Sequence, residues 1–142
     1  MHVATGVLFL ALAGLSASTA GEEPLACNVR ALNPAQRDRY QLLTSRLAGA
    51  VARTRELPDG YELALDLSRL PADAHGAAFC VVEVAEWVDL ESRCCPFLDF
   101  GIAVRGKGGD VTLTLTGGPS VKAFLAIEFP LFEKKAHDIL AR

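Results

Sequence analysis

Glu91-Ser92-Arg93-Cys94-Cys95-Pro96-Phe97-Leu98-Asp99-Phe100 is the stretch on which the reading of this chain turns. Upstream, Val81, Val84, Ala85 and Val88 recur at the three- and four-residue spacing of one helix face, with Glu83, Glu86 and Asp89 on another. Downstream, Phe97 to Val104 alternates, the period of a strand. Pro96 divides the two. It has no N–H to continue a helix, and it pushes Cys95 out of the helical region. The pattern predicts a helix over Ala77–Cys94, a stop at Cys95–Pro96 and a strand over Phe97–Val104. Helix followed directly by strand, in a chain whose mixed element order includes at least one tight hairpin, makes the class α+β.

The flanking segments extend this order. Asn33-Pro34 is a helix start, with Asn as cap and Pro at the first helical position. Tyr40, Leu43, Leu47, Ala50 and Val51 keep helical spacing, so a helix is predicted over Pro34–Arg55. Its arginines, Arg37, Arg39, Arg46, Arg53 and Arg55, read as a solvated face. Leu57-Pro58-Asp59-Gly60 is a turn. Tyr61–Leu67 and Val111–Thr116 alternate as half-buried strands. Arg105 to Asp110 is a glycine-rich hairpin loop with no phosphate-loop spacing. Ser120 is placed to cap a last helix over Val121–Phe129, and residues 131–140 suggest a tail helix beyond Pro130. The expected architecture is a small, mainly antiparallel three-stranded sheet covered by helices, in the order α-β-α-β-β-α.

The 142 residues fit one domain, placed here at residues 21–142. The formal net charge of −3 argues against nucleic acid, whose binders show a basic stripe. Val7 to Leu15 is a short apolar run, followed by Ser16-Ala17-Ser18-Thr19-Ala20. That is the form of a signal peptide over residues 1–20, cleaved after Ala20. The run is too short to span a bilayer. The expected destination is the periplasm or the exterior of a bacterial cell.

Four cysteines carry the chemistry. Glu91 precedes Cys94 and Cys95 by three and four residues, a spacing that brings its carboxylate to the thiols on one helix face. Two soft sulfurs and an oxygen suit a thiophilic metal or metalloid ion. Export favours disulfides instead, and four cysteines allow three full pairings among which sequence does not choose. Cys80 lies fourteen residues before Cys94 in the predicted helix. That is about 21 Å along the axis, too far for a bond to the pair, and Cys80 reads as a small buried hydrophobe. His75 reads as a surface loop residue.

The string from Glu91 to Phe97 resembles the Glu-x-x-Cys-Cys-Pro-Phe signature of a small, largely uncharacterised bacterial domain family. Trp87, Pro58-Asp59-Gly60-Tyr61, Leu115-Thr116-Gly117 and Val121-Lys122-Ala123-Phe124-Leu125 are similar to it as well. Related domains follow the DNA-binding part of some mercury-responsive-type regulators, so the resemblance implies handling of heavy metals or metalloids. It matches Cys94 and Cys95 to the signature pair, Glu91 to its acidic residue and Cys27 to a frequent leading cysteine.

Three functions follow as expectations. In the first, Cys94, Cys95 and Cys27, with Glu91, bind a soft ion such as mercury(II) or arsenic(III). The second is non-catalytic, with Cys27 bonded to Cys94 or Cys95 as a structural staple. The third is a thiol-dependent redox or organomercurial-type enzyme, for which no histidine is placed as base and no Cys-x-x-Cys is present.

Overall fold

The computed structural model describes residues 25–72, 76–106 and 110–128. The expected leader (1–20), His75 and the tail helix over 131–140 lie outside these.

The class is α+β. Helix α1 spans Pro34–Ala50, strands β1 and β2 span Val51–Leu57 and Gly60–Leu65, helix α2 spans Val81–Cys94, and strands β3 and β4 span Asp99–Arg105 and Asp110–Thr116. Residues 119–128 form a third helix, α3. The sheet is antiparallel throughout, in the order β1-β2-β4-β3.

Four strands stand where three were expected, and β1 is the addition. Helical spacing continues past Ala50, but the chain leaves the helix there. Val51 caps α1 in an extended conformation, and the Asp66 N–H bonds the Ala50 carbonyl at 2.8 Å. The Pro58-Asp59 turn folds the following residues onto β2, pairing Leu57 with Gly60 and Arg55 with Glu62. Arginine and alanine favour helix, but a strand ladder contributes one backbone bond after another with a partner that local periodicity does not see. A register shift between Val51 and Arg53 adjusts the strand to its start.

The start of α1 is as expected. Asn33 accepts from the Gln36 N–H at 2.9 Å, and the Gln36 side chain accepts from the Asn33 N–H at 2.9 Å, a full capping box ahead of Pro34. The other bounds move by a few residues. The second strand ends at Leu65, before a 3-10 turn over Leu67–Arg69, and β3 begins at Asp99. Ser120 lies inside α3 rather than ahead of it. Helix α2 begins at Val81, four residues later than expected, with Cys80 as its cap. Cys80 is exposed, so its reading as a buried hydrophobe is corrected. Gly76 lies at φ +79°, a left-handed value that a helix does not contain.

The helices cover one face of the sheet. Leu63, Leu65, Val111, Leu113 and Leu115 are buried from the sheet side, and Leu43, Leu47, Val84, Trp87 and Leu90 meet them from α1 and α2. The two helices are also joined by polar groups. The Trp87 indole donates to Thr44 Oγ1 at 3.0 Å, and the Thr44 hydroxyl donates to the Tyr40 carbonyl at 2.8 Å. Arg39 grips Glu86 with two bonds of 2.9 and 2.6 Å, and Arg46, stacked over Phe79, reaches Glu83 at 3.8 Å. Arg39 and Arg46 therefore pair with the acidic stripe of α2 instead of forming a solvated face.

Candidate metal and ligand site

The C-terminus of α2 builds the site. Cys94 is its last helical residue and Cys95 its cap, with the Cys95 N–H bonded to the Glu91 carbonyl at 2.8 Å. The Asn28 N–H donates to the Cys94 carbonyl at 2.8 Å. An end carbonyl that α2 cannot satisfy internally is thus taken by the N-terminal lead. That bond sets Cys27 against Cys95, with their Cα atoms 4.7 Å apart, and the two are joined by a disulfide.

Glu91, one turn before Cys95, reaches the same place. Its Oε1 lies 3.2 Å from Cys95 Sγ and 3.9 Å from Cys27 Sγ. A disulfide sulfur carries no hydrogen, so these are close sulfur–oxygen contacts as the bond stands; after reduction a thiol would donate there. One ligand atom from each of Cys27, Glu91 and Cys95 falls within 4.8 Å of the others.

Cys94 goes elsewhere. Successive helix residues diverge by about 100° in direction, so neighbours do not face one point. The Cys94 thiol is buried and donates to the Leu90 carbonyl at 3.1 Å. Burial pushes its pKa up, and the nearby Glu91 carboxylate adds to the rise. A raised pKa makes a thiol a poorer nucleophile and ligand. Of the four residues singled out in the sequence, Cys27, Cys95 and Glu91 meet, and Cys94 lies beside them in the core. Cys80 is free and exposed.

Glu91 is 7 % exposed. Burial raises its pKa, the Tyr40 hydroxyl offsets part of the rise, and Glu128 adds to it. The Tyr40 phenol is in turn pushed far above its ordinary value, by burial first and by the Glu91 charge second. The other carboxylate oxygen, Oε2, is buried without a hydrogen-bond partner among the described residues.

Beside Glu91 lies a cavity of about 430 Å³. Tyr40 of α1, Trp87 and Glu91 of α2, and Phe124 and Glu128 of α3 line it, with Cys27 at one wall. Sequence reasoning placed neither Tyr40 nor Glu128 here. Tyr40 stood in the apolar stripe of its helix, and Glu128 sits on a helix whose packing direction only the fold sets.

Scanned against family models, curated proteins and solved structures, the chain matches none of them.

Proposed function

We infer that the protein is an exported thiol domain that, with Cys27 and Cys95 reduced, holds a soft ion such as mercury(II) or arsenic(III) between the two sulfurs and the Glu91 carboxylate. The observation that carries this is the gathering of the three ligand atoms within 4.8 Å of one another. Thiolates select soft ions, and a buried carboxylate beside them supplies an oxygen and a compensating charge. The resemblance of the Glu91–Phe97 string to a signature found beside mercury-responsive regulators agrees with it. A thiol reductant would deliver two electrons and two protons to the disulfide, becoming a disulfide itself. The ion then displaces the protons from Cys27 and Cys95.

The test is a titration of the reduced, full-length protein with mercury(II), following the sulfur-to-metal absorption band. Cys27→Ser and Cys95→Ser should each weaken binding by roughly 100-fold, and Cys94→Ser by no more than about threefold. Equal losses at Cys94 and Cys95, with none at Cys27, would instead make the adjacent pair the ligand set.

A second reading is a permanent staple, favoured by the disulfide between Cys27 and Cys95. Protein isolated without reductant distinguishes the two. A disulfide that resists glutathione and an ion that never binds would leave only the staple.

A further inference from the structure

The polar groups of the 430 Å³ cavity are unbalanced. Its described lining holds two carboxylates, Glu91 and Glu128, and no lysine, arginine or histidine. The rest is apolar or aromatic apart from the Tyr40 hydroxyl, which is directed to Glu91, with Tyr40, Trp87 and Phe124 among the walls. The volume lies in the range of small-ligand pockets, about 300–1,000 Å³. Glu91 contributes a carboxylate that is 7 % exposed, whose Oε2 makes no hydrogen bond among the described residues. A buried acceptor without a partner is costly, the more so when charged, unless something else satisfies it.

We propose that this cavity is a binding site for a small organic ammonium ion, with the charged nitrogen held by Glu91 and Glu128 and an apolar body seated among Tyr40, Trp87 and Phe124. Several features select this ligand class. Two carboxylates with no cationic side chain in the described lining attract positive charge. Aromatic faces accept both an ammonium group and the hydrocarbon attached to it. Besides the two carboxylates the side chains of the described lining offer a bare inorganic cation one oxygen, the Tyr40 hydroxyl, too few for a hard-ion shell, whereas an amine with a hydrocarbon body fills the space and buries the walls. Ligand binding here does not depend on an ion at the sulfurs. It needs no reduction, because Oε1 is the atom that meets Cys27 and Cys95 and Oε2 is the one without a partner.

Trp87 is the chain's single tryptophan and lines the cavity, so its fluorescence reports occupancy directly. The experiment uses the full-length protein with its disulfide intact, in the presence of a chelator. Phenethylammonium is titrated in parallel with 2-phenylethanol, its neutral counterpart of similar size. The expected result is a saturable change in Trp87 emission, with the ammonium ion bound at least about tenfold more tightly than the alcohol. Glu91→Gln should remove that preference while alcohol binding stays, an outcome that a merely structural role for Glu91 would not produce. Glu128→Gln, on a partly exposed position, should reduce the preference in a chain whose core is untouched. Equal affinities for the two probes, a preference that survives both substitutions, or no saturable binding by either would overturn the proposal. Because the titration is run on oxidised, metal-free protein, its failure leaves the soft-ion reading standing, and the reverse also holds.

Discussion

Glu91 is the residue at which the chemistry of this protein concentrates, and its burial has a measurable consequence. Desolvation raises its folded pKa above the unfolded value of about 4.3. The folded state then holds the proton to higher pH than the unfolded state does, so stability falls as pH rises from about 4 through the folded pKa. Below that window both states are protonated and no penalty remains. Glu91→Gln removes the charge with little change in shape. Urea midpoints of the disulfide-intact protein should therefore favour the variant increasingly as pH rises from about 4 through the folded pKa and then level off, and a difference that stays flat with pH would show that the Glu91 pKa does not differ between the two states. Thr44 is the second residue with a defined role. Its hydroxyl accepts from Trp87 and donates to Tyr40. Thr44→Val keeps the volume but loses both bonds, and denaturant unfolding should register a loss of about 1–3 kcal/mol.

At the level of elements, α2 acts as a ruler. One turn separates Glu91 from Cys95, and the Cys95 N–H bond to the Glu91 carbonyl fixes that distance. Cys94, one residue earlier, is rotated into the core and bonds the Leu90 carbonyl. The same helix end receives the N-terminal lead through Asn28. The edge strand β1 carries charge rather than apolar surface. Arg53, Arg55 and Glu56 are exposed, Arg55 pairs with Glu62, and Lys122 of α3 reaches Glu56 at 2.7 Å. Charged edges resist pairing with another chain. Where β2 meets β4, Gly60 faces Thr116 so closely that a Cβ would collide with the Leu115 carbonyl oxygen. Gly60 is thus required by close approach of two backbones rather than by its torsion angles.

For the molecule as a whole, the Cys27–Cys95 disulfide closes a loop of 68 residues that contains α1, β1, β2 and all of α2. Such a link stabilises chiefly by restricting the unfolded chain, by about 4 kcal/mol in the entropic account. Cys27→Ser should lower stability by an amount of that order, and thermal unfolding with and without a reductant should give wild-type protein the same difference. Cys94→Ser, whose hydroxyl can still donate to the Leu90 carbonyl, should cost about 1 kcal/mol. Equal costs at Cys27 and Cys94 would mean that packing, rather than the cross-link, decides the effect.

Much of this arrangement was legible in the residues alone. The stop at Cys95-Pro96, the capped start at Asn33-Pro34, the strand alternation of Val111–Thr116 and the one-turn spacing of Glu91 to Cys95 are local properties, fixed by backbone geometry and by short-range periodicity. They placed the site at the end of a helix and made the class α+β. Three things were decided only by the tertiary structure. Residues 51–57 became a strand because β2 offered a partner, and the helical spacing of the sequence does not encode that partner. Cys27 was joined to Cys95 rather than Cys94, because the direction in which each thiol leaves the helix end depends on how α2 rolls against the sheet. The cavity and its two carboxylates arose from α1, α2, α3 and the lead converging on one point. Sequence determines the turn-by-turn order of such elements, because each turn is governed by contacts three or four residues apart. Which side chains from distant turns share a site is settled by the burial of the whole core.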